Sequence, residues 1–246
     1  MDHWSPVERW TTLSGIRIRY LDNAPDGPMG LPILFSPGLT DIADEYEATL
    51  EYFLPRRVLV VEVRGRGQSE APPNGYSAAD HMGDLAAVVE AEKLSRFHLM
   101  TFSRGTSWAL DLAFAQPSAV ATISIGDYRA AEIGLGDEFA DHLWTTTFRG
   151  RKISERVERH VLEELARASR PRELYEELGA LGKPVLVAKG VGGGIVDEAV
   201  IERYRSAVAD LNVVTIPEAG HDLFRPSRTA YPAFVREFLA TSPPEG

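Results

Sequence analysis

The 246-residue chain has no cysteine, which excludes disulfides, thiolate metal sites and a cysteine nucleophile, and fits a reducing compartment. It also lacks an excess of positive charge. Lys and Arg total 26 against 36 Asp and Glu, for a net charge of −10. Such acidity opposes binding to nucleic acid or to anionic membranes. No run approaches the ~18 apolar residues of a membrane helix. The opening residues 1–8 have neither the basic start nor the apolar stretch of a secretory signal. The expectation is a cytoplasmic soluble protein with no nucleic-acid or membrane partner. Nothing in the sequence indicates an oligomeric state.

What is present suits one large domain with an insert. Hydrophobic residues make up 44% and charged residues 25%, ordinary values for a globular chain. Residues 15–21 alternate apolar and basic and predict an early antiparallel edge strand. A short all-apolar run at 33–35 predicts a strand buried on both faces of a parallel sheet. The mainly apolar runs at 58–63 and 120–125 predict further buried strands, and 97–100, 184–188 and 213–216 predict strands as well. Amphipathic stretches between them predict helices near 44–53, 80–93, 197–209 and 228–239, with Ser77 or Asp80 as the cap of the second. Residues 128–182 carry no strand signal and predict helices at 138–144, 153–168 and 171–178. The expected architecture is a core domain of residues 1–127 and 183–246, with a helical cap at 128–182.

The most informative stretch is Thr101-Phe102-Ser103-Arg104-Gly105, where a strand-like pattern gives way to a helix-like one. A serine on a sharp strand-to-helix turn, with small residues two before and two after, is thrown out at the carboxyl edge of the sheet. Here threonine replaces the first glycine, and an ordinary turn gives the same local pattern. A serine hydroxyl is a weak nucleophile and needs a base within hydrogen-bond reach. His221, in the loop after the last predicted strand, is the natural base. The other histidines have plainer readings: His3 in a frayed end, His81 and His160 on amphipathic helices, His98 in a strand and His142 exposed on the insert.

Several motifs in order along the chain resemble those of the α/β-hydrolase superfamily. Ser36-Pro37-Gly38-Leu39 stands where that family has its His-Gly oxyanion loop. Glu62-Val63-Arg64-Gly65-Arg66-Gly67-Gln68-Ser69 is similar to its Asp-x-Arg-Gly-x-Gly-x-Ser run. Ser103 stands at the nucleophile elbow, and Gly220-His221-Asp222 matches the late histidine loop. The resemblance implies a mostly parallel eight-stranded sheet flanked by helices, with a cap. It assigns the oxyanion donors to the backbones of Leu39 and Arg104, with Gly38 allowing close approach. For the Arg104 side chain, an acidic neighbour beneath the site is the favoured partner.

The chain departs from the family pattern at the third member of the implied triad. The residue in the place of the usual aspartate is Gly193, within Lys189-Gly190-Val191-Gly192-Gly193-Gly194. Asp127, after the strand that follows the nucleophile helix, is the preferred substitute. A dyad without an acid is the alternative, followed by Asp222, Asp41 or Glu62. Thr101, Thr106 and Pro37 are further departures, with Thr101 expected to displace the turn slightly.

The leading expectation is a cofactor-free serine hydrolase or acyl-transfer enzyme with Ser103 as nucleophile and His221 as base. Its substrate is an ester, lactone, thioester or activated carbonyl of small to medium size and partly apolar character. Thr40, Tyr128, Trp144 and Phe148 join Gly38 as expected substrate contacts, and no metal is expected. A non-hydrolytic tailoring enzyme using the same pair for acid–base chemistry, and a binding protein on the same scaffold, are the other readings.

Overall fold

The computed structural model of the protein describes residues 4–136 and 138–242, so His3 lies outside the described residues. An eight-stranded sheet forms the centre. Its strands are β1 (Val7–Leu13), β2 (Ile16–Asp22), β3 (Ile33–Ser36), β4 (Val58–Glu62), β5 (Phe97–Phe102), β6 (Val120–Gly126), β7 (Val185–Gly190) and β8 (Leu211–Ile216). Their order across the sheet is β1-β2-β4-β3-β5-β6-β7-β8. The β2 strand runs antiparallel to both neighbours, and every pair from β4 to β8 is parallel.

Strands β3 to β7 are buried on both faces because helices cover both, whereas the edge strand β8 is half exposed. Leu34, Leu59, Val61, Leu99, Val185 and Val187 face one core, while Ile33, Phe35, Val58, Val60, Met100 and Leu186 face the other. The first core is closed by α2 (Ala78–Ala91), α3 (Gly105–Ala115) and α7 (Glu198–Ala207), the second by α1 (Glu47–Tyr52) and α8 (Ala230–Thr241). Ser77 caps α2 in a reciprocal capping box with Asp80, and Asp197 caps α7 by accepting from the Val200 N–H at 2.9 Å.

Two expectations are corrected. The edge strand is β1, whose half-buried faces carry Glu8, Arg9, Thr11 and Thr12 and so lack a clear apolar period. The segment 128–182 is not purely helical. Besides α4 (Phe139–Trp144), α5 (Arg159–Ala168) and α6 (Tyr175–Ala180) it holds two short ribbons. One pairs Thr147–Phe148 with Arg151–Lys152, and the other pairs Ala131–Glu132 with Arg172–Glu173. Two-residue strands are too short to show a period. The α4 and α5 helices enclose a small core of Ala140, Ile153, Val157, Val161, Leu162 and Leu165. In contrast, Leu174, Tyr175 and Leu178 pack into the main core beside Tyr204.

Among the described residues, no helix is long and apolar enough to cross a membrane.

Candidate active site

The β5 strand ends at Phe102, and Ser103 turns the chain into α3 with φ of +50°. A non-glycine residue in the left-handed region costs about 1–3 kcal/mol and persists only where its surroundings hold it. Here the Ser103 N–H donates to the Gly126 carbonyl at 2.9 Å, extending the β5–β6 ladder by one bond. Gly105 lets α3 begin against the loop after β3, since a β carbon there would stand 2.1 Å from the Pro37 carbonyl oxygen. Thr101 and Thr106, two departures from the family pattern, answer each other across the turn. Their buried hydroxyls are 2.8 Å apart, and Thr101 Oγ1 donates onward to the Ser124 carbonyl at 3.2 Å.

The neighbouring strand β6 ends in register with β5, Phe102 pairing with Gly126, so the residue after each strand emerges at one edge. That residue is Asp127, fully buried, with φ of +42° and its N–H donating to Ala188 O at 2.8 Å. His221 lies between the two. Its Nδ1 is 2.7 Å from Asp127 Oδ2 and its Nε2 is 3.0 Å from Ser103 Oγ. An ionised carboxylate only accepts, so Nδ1 carries the proton and Nε2 is free to accept from the serine hydroxyl. The ring stacks on Phe102, with centroids 5.2 Å apart.

The loop that would carry the acid in the family pattern instead binds one. Ile195 N–H donates to Asp127 Oδ2 at 2.8 Å and Val196 N–H to Oδ1 at 3.3 Å. The two residues after the glycine run 192–194 thus hold the carboxylate of Asp127 with backbone donors. Of the other carboxylates considered, Asp222 pairs with Arg149, and Glu62 accepts from the N–H groups of Ala43 and Gln68. Neither approaches His221 as Asp127 does.

The loop after β3 is clamped by Asp41. Its N–H donates to Gly38 O at 3.2 Å, and its Oδ2 accepts from Gly38 N–H at 2.8 Å. In a trans peptide the carbonyl and N–H point opposite ways. Holding Gly38 O therefore fixes the direction of the Leu39 N–H. Arg66 Nε holds the next carbonyl, Leu39 O, at 2.9 Å. Among the described residues, neither the Leu39 nor the Arg104 backbone N–H donates to a protein acceptor. Tyr46, whose phenol burial pushes well above its ordinary value, donates to Asp41 Oδ2 at 2.5 Å.

Ser103 and His221 open into a cavity of about 270 Å³ lined by Gly38, Leu39, Thr40, Asp41 and Phe102 from the body. Phe139, Leu143, Thr146, Thr147, Phe148 and Ile153 complete it from the insert. Of the residues named as substrate contacts, Gly38, Thr40 and Phe148 line this cavity. Tyr128 does not. It is buried in the main core, where its carbonyl accepts from the Tyr204 hydroxyl at 2.8 Å. Trp144 packs with the small core of the insert rather than on the cavity, because the last turn of α4 directs Leu143 inward instead. The Arg104 guanidinium lies 3.7 Å from Glu132 and donates to Ile133 O and Ser169 Oγ, both at 2.8 Å.

Asp41 and Arg149 carry structural weight that the sequence reading did not assign to them. Arg149 sits at the tip of the hairpin 147–152, and its side chain is only 1% exposed. It donates to Asp222 through Nε at 2.8 Å and Nη2 at 2.6 Å, and to Glu45 at 3.2 Å. Its guanidinium also lies over the rings of Tyr46, Phe102, Phe148 and Phe224. An arginine in a hairpin turn normally reads as solvated, so only its neighbours in space reveal this burial.

Residues 33–236 match the sequence model of the alpha/beta hydrolase family. A non-heme chloroperoxidase of Streptomyces lividans is 33% identical over 114 residues, which cover 45% of this chain and 41% of that protein. A 2-(acetamidomethylene)succinate hydrolase of Mesorhizobium japonicum is 25% identical over 232 residues, covering 79% of this chain and 82% of that protein. Among solved structures, an esterase from Exiguobacterium antarcticum superposes with a TM-score of 0.80 at 19% identity, covering 96% of this chain and all of that one. At that identity the likeness is one of fold.

Proposed function

The chain belongs to the alpha/beta hydrolase family, and on that premise we propose that it is a cofactor-independent serine hydrolase or acyl-transfer enzyme. The observation that carries the reading is the continuous chain of hydrogen bonds Asp127–His221–Ser103 at the floor of a cavity. The relatives named above differ in their reactions, so the substrate is argued from this cavity alone.

In the proposed cycle, Ser103 Oγ attacks a carbonyl carbon as its proton passes to His221 Nε2. Asp127 holds the Nδ1–H tautomer and stabilises the imidazolium that forms. The carbonyl oxygen becomes an oxyanion that accepts from the N–H groups of Leu39 and Arg104, each such donor being worth about 2.7–4 kcal/mol of barrier. Collapse breaks the bond to the leaving group, which takes the proton from His221. Water, or another acceptor, then attacks the acyl-serine with His221 as base and restores Ser103.

A glycine at position 193, in place of the usual acid, is what favours a non-hydrolytic reading. The carboxylate of Asp127 within hydrogen-bond distance of His221 removes that motive. The substrate proposed is an ester, lactone or thioester of modest size, reached through walls formed largely by Leu39, Phe102, Phe139, Leu143, Phe148 and Ile153. Turnover of p-nitrophenyl esters tests the reading. Loss of at least about 10³-fold in Ser103→Ala is expected, and turnover unchanged in that variant contradicts it.

A further inference from the structure

Resting on the hydrolase reading, we propose that the cavity over Ser103 selects an uncharged acyl chain and rejects one that ends in a carboxylate. The charges around the site carry the argument. Among the described residues, no lysine or arginine lines the cavity, and Asp41, its carboxylate held by the Gly38 N–H and the Tyr46 hydroxyl, does. Two cations behind the wall are already committed. Arg156, its side chain fully buried, contacts Glu45 and the Phe148 carbonyl, both at 2.6 Å. Arg149, whose side chain is 1% exposed, contacts Asp222 at 2.6 Å, Glu45 at 3.2 Å and Asp41 at 3.9 Å. Aromatic rings of Phe102 and Phe148 stand on its faces. A second anion entering from the cavity finds no free donor fork and meets the field of Asp41.

The apolar walls add to this. A substrate carboxylate drawn beside Phe139, Leu143 and Ile153 gives up its hydration without a partner, a cost that a methyl group at the same position does not meet. The hydroxyls of Thr40, Thr146 and Thr147 accommodate a polar neutral group, and Thr146 already donates to Leu143 O at 2.8 Å. The volume sets the length. At roughly 30 Å³ for each water-sized group, 270 Å³ holds about nine such groups, enough for a six-carbon acyl chain.

The test compares p-nitrophenyl hexanoate with mono-p-nitrophenyl adipate, which have the same chain length and end in a methyl group or a carboxylate. Rates are counted as the part lost in Ser103→Ala. The expected kcat/KM ratio is about 100 in favour of hexanoate. A ratio below about 10 overturns the proposal. Thr147→Lys places a cation at an exposed rim position opposite Lys152, and a melting curve checks that the variant folds. It is expected to lower the ratio at least about tenfold through adipate, and an unchanged ratio counts against the charge argument. If neither ester shows Ser103-dependent turnover, the hydrolase reading fails. The charge preference is then read as binding, by NMR titration with hexanamide against adipamate, where equal affinities overturn it.

Discussion

The carboxylate of Asp127 occupies the space that a side chain at Gly194 would need. A β carbon at Gly194 would lie 2.7 Å from Oδ1 and 2.9 Å from Oδ2. The glycine run after β7 and the acid after β6 are therefore two halves of one arrangement. The loop gives up its own carboxylate position and becomes the cradle of another. Gly194→Ala is expected to leave the fold intact, because its backbone needs no positive φ. It should displace Asp127 and lower kcat roughly 10–100-fold, the scale of an ångström-sized misplacement at a catalytic group. Steady-state ester hydrolysis and a melting curve check this together. Wild-type kcat in the alanine variant would mean that the collision is absorbed elsewhere.

Asp127 and Asp197 stand near the same loop but do different work. Asp127→Asn puts an amide in place of the carboxylate, which no longer holds the Nδ1–H tautomer or stabilises the imidazolium. It is expected to reduce turnover about 10⁴-fold, as in the protease whose triad aspartate was replaced in this way. The Asp197 side chain accepts from the Val200 N–H and caps the start of α7. Asp197→Asn should leave turnover within about twofold, because asparagine is an equally good cap. Equal, mild losses in both variants would reject the assignment of Asp127.

Arg149 joins the insert to the loop that carries His221. Arg149→Met leaves Asp222, Glu45 and Asp41 without their shared cation, and the loss of one partner from a buried pair costs about 3–5 kcal/mol. The melting temperature should fall accordingly. Arg149→Lys should recover only part of it, because an ammonium cannot grip both oxygens of Asp222. Burial pushes the Asp222 carboxyl up, but the hydrogen bonds and charge of Arg149 outweigh burial and hold it below 3.8. A depressed acid contributes stability that is present above its unfolded value and lost as pH falls through the folded one. The gap between wild type and Arg149→Met should therefore persist from pH 8 down to about 4 and shrink below. A constant gap at pH 3 would contradict the pairing.

His81 makes a separate pH prediction. Ser77 O can only accept and Arg66 can only donate, so the contacts of 2.8 Å at Nδ1 and 2.7 Å at Nε2 fix a neutral ring with the proton on Nδ1. Burial, with the Arg66 charge beside it, pulls its pKa well below 6.5. Burial likewise lowers Arg66 to about 9. Stability tied to His81 is present above pH 6.5 and falls as pH drops, because the unfolded chain takes up the proton first. His81→Gln keeps an acceptor for Arg66 without a titrating ring, so its melting temperature should fall less than that of the wild type between pH 7 and pH 5. Parallel curves would contradict the neutral assignment.

Much of this site is legible in the sequence because its chemistry lies where strands end. Apolar runs at 33–35, 58–63, 97–100 and 120–125 mark strands buried on both faces; Ser103 and Asp127 follow the last two, and His221 follows the half-exposed strand Leu211–Ile216. Asp127 is found by asking which carboxylate closes a neighbouring strand once Gly193 occupies the usual place. The cavity wall is harder to see. Phe139, Leu143 and Ile153 differ from Tyr128 and Trp144 only in the direction that short helices and loops give their side chains, and no period encodes that. Arg149 is hidden for the same reason, since its burial depends on carboxylates 73 and 104 residues away in sequence. The β1 strand escapes because an edge strand with both faces half-wet carries little alternation.

The account stands on Ser103 as a nucleophile armed through His221. Incubation of the folded protein with a fluorophosphonate probe, followed by peptide mass spectrometry, reads this directly. The predicted result is one equivalent of probe on Ser103, with labelling slowed strongly in Asp127→Asn. A folded protein that takes up no probe at Ser103, or that labels at the same rate in Asp127→Asn, would contradict it.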